Sequence, residues 1–495
     1  MGEVIRRSGT TALLSYLGFF IGYVNMLLLL PYAFRPEEVG LIRLLLSVAA
    51  LASTLASFGG TQVVIRFFPF FADSDIRRAA FTRLLLLLGV AGSIVFTVCL
   101  FLFHDEIVSI YAGKSPLFVS YLWFTIPLTI SLILYGVVEA FVLVQGRPII
   151  PTLFREVYTR GILTVGALTF LALSLSLRGF FQLIGLLYCL APMLIFLYGY
   201  RLGLLPLTGT ARTIRGKELK ELTSFGWFMF LGNASAVVLA NIDSLVLGAS
   251  AGLVSTGIYS VAMFIAVIIQ IPKQSLSRVL IPLVVTANKE RDVRTLDLLY
   301  KKTSLNQFVI GAGIFLIIWL NIDALFTLIP NGQLYSEGKW VVLFVSIARL
   351  FDMLTGCNAE IIGTSEYYKL DLVIYFILSI VGIGLNVILI PSYGVNGAAV
   401  ALLASVVLYN TMRFILIAVV MKIQPFTRKT VITLVCVGLT YILISLIPHV
   451  DSVILDAALR SVMIAGVFGG TILGFQVSED ISGYAREILQ YVRKR

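Results

Sequence analysis

The stretch from Ile361 to Leu408 constrains this chain more than any other part of its sequence. It stays apolar over far more residues than a helix in a soluble core needs, and Pro391 and Gly394 interrupt it. Proline cannot donate a hydrogen bond to a continuing helix, and glycine accepts left-handed backbone angles at a helix end. Each half, residues 367–390 and 394–421, reaches the roughly 20 residues that span a bilayer. The stretch therefore predicts a transmembrane hairpin with a tight turn.

Composition extends this interpretation to the whole chain. Of 495 residues, 59% are hydrophobic and 13% are charged, against about 25% charged in an ordinary globular protein. The four cysteines stand singly inside apolar runs, without the spacing of a disulfide framework or a metal site. The sequence offers neither a Ser/His/Asp arrangement nor a glycine-rich phosphate loop. We therefore predict an all-α polytopic membrane protein that is not an enzyme and uses no metal or cofactor.

Hydropathy predicts fourteen membrane spans. They cover residues 10–34, 39–65, 79–103, 117–145, 148–176, 179–202, 223–248, 252–277, 304–329, 339–363, 367–390, 394–421, 427–448 and 453–475.

Basic residues predict the orientation of these spans. When the amino terminus is placed in the cytoplasm, most of the 37 Lys and Arg residues lie at cytoplasmic ends, whereas Arg35, Lys114, Arg178 and Lys339 lie outside. Such an asymmetry predicts that both termini are cytoplasmic. The net charge of +11 is then explained by attraction to anionic membrane lipids, so no nucleic-acid partner is expected.

Two glycines suggest an internal duplication. Gly40 in EEVGLIRLLLSV corresponds to Gly257 in VSTGIYSVAMFI, and Gly146 corresponds to Gly363 at the same separation along the chain. This separation covers six spans, an even number, so the two halves would be parallel repeats. The predicted domains are an N-terminal lobe of helices 1–6 (1–222), a C-terminal lobe of helices 7–12 (223–425), helices 13–14 (426–476) and a cytoplasmic amphipathic tail (477–495).

Several strings resemble a known transporter family. They are NVILIPSYGVNGAAVA at Asn386–Ala401 after GTSEYYKLD at Gly363–Asp371, NIDSLVLG at Asn241–Gly248 with TGIYSVA at Thr256–Ala262, and EEVGLIRLLLSVAAL at Glu37–Leu51 with VIRF at Val64–Phe67. In this order they resemble the Wzx-like polysaccharide transporters. These oligosaccharide flippases are a branch of the multidrug/oligosaccharidyl-lipid/polysaccharide (MOP) exporter superfamily.

The resemblance implies a function. Two six-helix lobes would enclose a cavity that opens alternately to either side of a prokaryotic cytoplasmic membrane. A polyprenyl-pyrophosphate-linked oligosaccharide would move from the cytoplasmic to the periplasmic leaflet for surface polysaccharide biosynthesis, driven by an ion gradient. Membrane lipids would surround the protein, and glycan-assembly enzymes are candidate partners.

Ionisable side chains inside the spans are candidate site residues, because each costs about 2.5–3.5 kcal/mol at a helix centre. The tenth span carries Arg349, Asp352 and Glu360, which lie on one stripe of a continuous helix at about 100° per residue. Two interpretations stay open. Arg349 and Asp352 could pair to hold the helices together, or the stripe could line a substrate cavity.

The other candidate substrate contacts are Arg43 and Arg66, which bracket the second span, Arg413 on the twelfth and Asn25 on the first. Arginine suits a pyrophosphate because its planar fork binds phosphate bidentately. Arg66 also matches an Arg that the similar transporters carry near the inner end of this helix. An inner-leaflet anchor is an equal alternative for Arg66, and snorkelling toward the inner surface is one for Arg413.

The acidic candidates for ion coupling are Asp243, Glu360, Asp352 and Glu139. Asp243 and Glu360 come first. The resemblance supports Asp243, because Wzx-like transporters often carry Asp in the matching N-x-D string. Structural pairing is the alternative for Asp243, and Glu139 has Arg66 and Arg155 as candidate partners.

Rival functions stay open at this point. A drug/cation antiporter of the same superfamily would need an anionic cavity, whereas these spans hold both Arg and acidic residues. A lipid II flippase carries an Arg-rich first helix, where this chain offers only Asn25. A membrane glycan polymerase or ligase needs a long outer loop, and the predicted outer loops are short. A structural scaffold would leave the charges inside the spans unexplained.

Overall fold

The computed structural model describes residues 2–72, 74–207, 214, 216–480 and 482–483, with side chains from residue 9 onward except at 278. All regular secondary structure in these ranges is helical, and twelve helices there are long and apolar enough to cross a membrane. The predicted all-α, polytopic membrane fold is confirmed. Most of the predicted amphipathic tail (477–495) lies outside the described residues.

Packing divides the chain into two compact units, Met1–Gly257 and Ile258–Arg495. The first unit contains α1 (Gly2–Val24), α2 (Leu30–Ala33), α3 (Pro36–Ala56), α4 (Gly60–Phe71), α5 (Asp75–Leu102), α6 (His104–Tyr111), α7 (Pro116–Tyr121), α8 (Thr125–Val144), α9 (Ile149–Thr152), α10 (Thr159–Leu173), α11 (Leu177–Arg201) and α12 (Lys217–Ser250). The boundary falls in α13 (Leu253–Val267). The second unit contains α14 (Ile271–Glu290), α15 (Val293–Leu320), α16 (Ile322–Leu328), α17 (Lys339–Leu354), α18 (Asn358–Gly363), α19 (Tyr368–Val420), α20 (Arg428–Ser445) and α21 (Val453–Gly474).

Helix α8 is the centre of the first unit. It packs against α3, α4, α5 and α11, and Val138 and Phe141 are almost fully buried in the resulting core. A helix this apolar suits a protein core or a membrane, and α8 packs against four neighbouring helices.

The predicted second span (39–65) is broken. Phe58 and Gly59 both adopt left-handed backbone angles, with φ of 45° and 71°, between α3 and α4. A left-handed conformation costs a side-chain-bearing residue about 1–2 kcal/mol, so the surroundings must hold Phe58 in place. The backbones of Gly59 and Gly226 in α12 touch here, and a Cβ atom on Gly59 would overlap the Gly226 carbonyl. This close approach fixes the break.

The predicted hairpin of the second unit is present within α19, and its turn differs from the prediction. The helical conformation continues through Pro391 and breaks at Gly394, where φ is 54° and ψ is −131°. A Cβ atom on Gly397 would overlap the Leu389 carbonyl, so the chain folds back at once. A single non-helical residue, Gly394, therefore makes the turn that was expected between residues 390 and 394.

The predicted tenth span (339–363) is also interrupted. Helix α17 ends at Leu354, Gly356 takes a φ of 60°, and α18 starts at Asn358. Gly356 allows its backbone to lie against that of Ser304 in α15, where a Cβ atom would come within 2.8 Å of the Ser304 nitrogen. The 16-residue α17 is too short to be counted among the twelve spans, and the 53-residue α19 counts once. The number fourteen stays a prediction.

Gly40 and Gly257 form a reciprocal contact in the first unit. A Cβ atom on Gly40 would overlap the carbonyl oxygen of Leu253, and one on Gly257 would overlap that of Pro36. Pro36 precedes Gly40 by the same four residues by which Leu253 precedes Gly257, so each helix start makes the same contact with the other. The two glycines therefore hold equivalent places in a local two-fold contact. The duplication of whole lobes stays a prediction.

We expect Gly40→Ala to destabilise the protein by about 1–3 kcal/mol, because the new methyl group would collide with backbone rather than with a flexible side chain. Thermal unfolding of the purified protein measures this. Gly438→Ala on α20 is the matched control, since a Cβ atom there meets nothing within 4 Å. Equal unfolding temperatures for the two variants would contradict the close helix contact.

Candidate transport site

A charged pair lies inside the second unit between α14 and α17. The Lys273 Nζ atom is 2.7 Å from Oδ2 of Asp352 and also donates to the Asp352 carbonyl oxygen at 3.0 Å. The other carboxylate oxygen accepts from the Asn410 side chain of α19 at 3.2 Å. Asp352 is therefore held by groups from two neighbouring helices. Lys273 was not among the predicted site residues.

A chain of neutral hydrogen bonds continues from this pair. The Asn410 Oδ1 atom accepts from Thr355 at 3.0 Å and from the Asn358 amide at 2.9 Å. All three side chains are almost completely buried. Because Thr355 and Asn358 flank the left-handed Gly356, these bonds also stabilise the break between α17 and α18. The arrangement is a compact polar core and joins four helices.

Arg413 has a partner of its own. Its Nε and Nη2 atoms bond the two carboxylate oxygens of Asp371 at 2.6 and 2.7 Å, and its guanidinium lies 3.8 Å from the centre of the Tyr409 ring. This bidentate pair joins the two halves of α19. Asp371 thus neutralises Arg413 inside the protein, and snorkelling is not needed to explain it.

The single stripe predicted for Arg349, Asp352 and Glu360 is wrong, because Gly356 ends the helix between the second and third residues. Arg349 stands one turn before Asp352 on α17, and its charge also acts on that carboxylate. Glu360 lies in the first turn of α18. Its Oε2 atom is buried and makes no hydrogen bond within the described part of the chain. Arg349 and Asp352 are therefore together, and Glu360 is separate.

The first unit contains a second charged network. Arg155 lies 3.2 Å from Glu139 and 3.4 Å from Glu156, and Glu156 also pairs with Arg160 at 2.5 Å. Of the two partners proposed for Glu139, Arg155 is the one observed. The network runs through a π-helical turn, Leu153–Tyr158. Such turns often occur at functional sites.

Asn25 contacts α10, the helix that carries Arg160. Its amide donates to the Arg160 carbonyl oxygen at 2.8 Å and accepts from the Thr164 hydroxyl at 2.8 Å. Asn25 also begins a π-helical turn, Asn25–Leu29. Gly22 on α1 leaves room for the Arg160 side chain, whose Cδ would lie 3.1 Å from a Cβ atom there. Asn25 thus positions α10.

Asp243 and Arg43 meet at Ser244. The Ser244 backbone nitrogen donates to Asp243 at 2.7 Å, and Arg43 donates to the Ser244 hydroxyl at 3.2 Å. Asp243 is buried and forms no ion pair within the described residues. Arg66 is exposed and lies 4.5 Å from the centre of the Phe225 ring, likewise without an ion pair among the described residues.

Four charged residues of these pairs and networks were missed from sequence: Glu156, Arg160, Lys273 and Asp371. One available signal was the spacing of Glu156 and Arg160, four residues apart on one helix, which places opposite charges side by side. No comparable signal marks Lys273, because Asp352 lies far from it in sequence.

A family model described as "Polysaccharide biosynthesis protein" matches residues 4–287, more than half of the chain. No curated protein matches this chain. Among solved structures, lipid II flippase MurJ in an inward closed conformation has a TM-score of 0.72 at 12% identity, covering 96% of this chain and 100% of that chain. A multidrug resistance MATE family transporter of the MOP superfamily, in an inward-facing conformation, has a TM-score of 0.64 at 15% identity, with 83% and 94% covered. These two matches show the fold.

We expect Lys273→Met to destabilise the protein by about 3–5 kcal/mol, since it leaves Asp352 buried without its ion-pair partner. The double variant Lys273→Met/Asp352→Leu should recover most of this loss, because no unpaired charge remains. Thermal unfolding measures both. Lys301→Met is the control: it breaks a more exposed pair with Asp297 and should cost at most about 1 kcal/mol. A double variant as unstable as the single one would contradict the pairing.

Proposed function

We propose, from the fact that this chain belongs to the polysaccharide biosynthesis protein family, that it is a flippase for a lipid-linked oligosaccharide. The match over residues 4–287 is the observation that carries this proposal. The substrate would be a polyprenyl-pyrophosphate-linked glycan, moved across the prokaryotic cytoplasmic membrane by alternating access. Both termini would lie in the cytoplasm, where glycan-assembly enzymes would deliver the substrate.

The arginines of the second span are our first candidates for the pyrophosphate. Arg155, Arg160 and Arg413 are already neutralised by carboxylates. Arg43 and Arg66 form no ion pair with the described residues, so an anionic ligand would not have to displace an existing partner. Their guanidinium groups can bind phosphate oxygens bidentately.

Arg43 and Arg66 would act at different stages of transport. Arg43 lies seven residues into α3 and Arg66 five residues before the end of α4, which puts them about 10 Å and 8 Å from opposite ends of this broken span by helical rise. The pyrophosphate would contact Arg66 from the cytoplasmic side and Arg43 before release. Arg349, near the middle of the tenth span, is a third candidate.

Ion coupling would use an acidic residue whose charge is not already satisfied. Asp352 and Glu139 have basic partners at 2.7 and 3.2 Å. Asp243 accepts hydrogen bonds only from Ser244 among the described residues, and one Glu360 oxygen accepts none there. A proton or a small cation would therefore bind more favourably at Asp243 or Glu360 than at Asp352 or Glu139. We place the coupling site at Asp243, with Glu360 as the second candidate.

We expect Arg66→Gln and Arg43→Gln each to lower transport of a polyprenyl-pyrophosphate-linked oligosaccharide in proteoliposomes by about tenfold or more, since a charge-assisted hydrogen bond contributes about 1.5–3 kcal/mol. Arg77→Gln is the control, because Arg77 already forms a surface ion pair with Glu218. Its transport rate should match that of the unmodified protein. Full activity of the Arg43→Gln/Arg66→Gln double variant would contradict the assignment.

Asp243→Asn should separate coupling from substrate binding. The amide keeps the shape of the side chain and cannot be protonated or balance a cation. We expect transport driven by an ion gradient to fall at least about tenfold, while exchange of labelled substrate without a gradient continues. Asp323→Asn is the control, because Asp323 is an exposed partner of Lys339. An Asp243→Asn protein that still responds fully to the gradient would move the coupling site elsewhere.

A further inference from the structure

An open cavity of about 270 Å³ lies among α3, α4, α8 and α12 of the first unit. It lies beside the middle of α8 and α12, where Leu132, Gly136 and Asn233 contribute to its wall. Its polar lining consists only of neutral hydroxyl and amide side chains: Ser53, Thr54, Ser57, Thr61, Gln62 and Asn233. We call it the hydroxyl–amide pocket. Polar groups at this depth are costly, and inside membranes they mark functional sites.

Half of these side chains have unused hydrogen-bonding capacity. Within the described part of the chain, the side chains of Thr61 and Gln62 make no hydrogen bond, and the Asn233 Nδ2 atom is buried without one. Each amide offers two donor hydrogens and an acceptor oxygen, and the Thr61 hydroxyl can do both. A buried donor without a partner costs about 1–3 kcal/mol, so a ligand that accepts from Asn233 would be stabilised.

The other three side chains, Ser53, Thr54 and Ser57, present hydrogen-bond acceptors to the pocket. The Ser53 and Thr54 hydroxyls both donate to the Ala50 carbonyl oxygen, at 2.9 and 3.0 Å, and the Ser57 hydroxyl donates to that of Thr54 at 3.0 Å. Because these hydroxyl hydrogens already bond carbonyl oxygens of their own helix, the three hydroxyl oxygens can only accept hydrogen bonds from a ligand. The left-handed turn at Phe58 and Gly59 brings them next to Thr61 and Gln62 on α4.

We propose that the hydroxyl–amide pocket binds an uncharged sugar residue of the transported glycan, an inference that rests on the proposed function. Sugar hydroxyls both donate and accept, and they match a wall that presents acceptors on α3 and donors on α4 and α12. Phe230 lines one side of the pocket and adds apolar surface against which the apolar face of a sugar ring can pack. No carboxylate, Lys or Arg lines the pocket, so neither a phosphate nor a metal cation finds a countercharge there.

The neighbouring cavity shows that this chemistry is local. It has a volume of about 530 Å³, shares Phe230 with the hydroxyl–amide pocket and is lined by hydrocarbon side chains such as Leu51, Leu55 and Val95. Sugar hydroxyls would lose their hydrogen bonds to water in it and gain none. Within these two adjoining cavities, a glycan therefore has one matching position.

The test uses the full chain reconstituted in lipid nanodiscs and two probes. One is a polyprenyl pyrophosphate that carries a single neutral hexose, and the other is the same carrier without sugar. We expect Thr61→Val/Asn233→Leu to weaken binding of the hexose-bearing probe by about tenfold or more and to leave binding of the sugar-free carrier unchanged. Thr169→Val is the matched control, since Thr169 is exposed on α10 and donates to Val165. It should bind both probes normally.

Each result decides the matter. Unchanged hexose-probe binding by the double variant, or an equal loss for both probes, would overturn the sugar pocket and leave the flippase proposal standing. Unmodified protein that binds neither probe would overturn the flippase proposal and the pocket with it. If the double variant does not fold, Thr61→Val alone removes the hydroxyl with almost no change of shape, and the same two-probe comparison applies to it.

Discussion

The cost of an ionisable group in hydrocarbon governs this structure. A charged side chain at the centre of a membrane helix costs about 2.5–3.5 kcal/mol on insertion scales, and removing one partner of a buried pair costs about 3–5 kcal/mol. Asp371–Arg413 joins the two halves of α19, and Lys273–Asp352 joins α14 to α17. The Glu139–Arg155 pair joins α8 to the π-helical turn before α10. Each of these three contacts between segments is therefore joined by a charged pair.

Pairing also divides the charged residues into two groups. Arg43, Arg66 and Asp243 form no ion pair with described residues, and the proposed function assigns them to substrate and ion. The predicted membership of a polysaccharide family is confirmed by the family match over residues 4–287, and the fold agrees with it. Two solved structures with this fold are a flippase and a multidrug transporter. The neutral pocket beside α8 adds a place for a sugar, which a search for charged residues would not find.

Sequence predicted what depends on length and hydropathy and missed what depends on single glycines and distant partners. The long apolar helices follow from the roughly 20 residues that a bilayer demands. Sequence left Arg66 and Arg155 open as partners of Glu139, and packing selects Arg155. The stripe on the tenth span failed because one glycine, Gly356, takes a left-handed angle that no pattern of apolar residues reveals. Lys273 was missed because its partner comes from another helix 79 residues away, and only packing brings the two together.

The one-residue turn at Gly394 has a consequence for biogenesis. Asp371 and Arg413 lie on consecutive membrane segments, so the hairpin that leaves the insertion machinery already contains both charges of its bidentate pair. The insertion machinery therefore handles a unit in which these two charges already cancel. Inserting a lone arginine at a helix centre costs about 2.5–3.5 kcal/mol, and Asp371 offsets this cost before neighbouring helices arrive. Lys273 must wait for α17, which is made later. The ion pairs of this protein thus form in an order set by their separation along the chain.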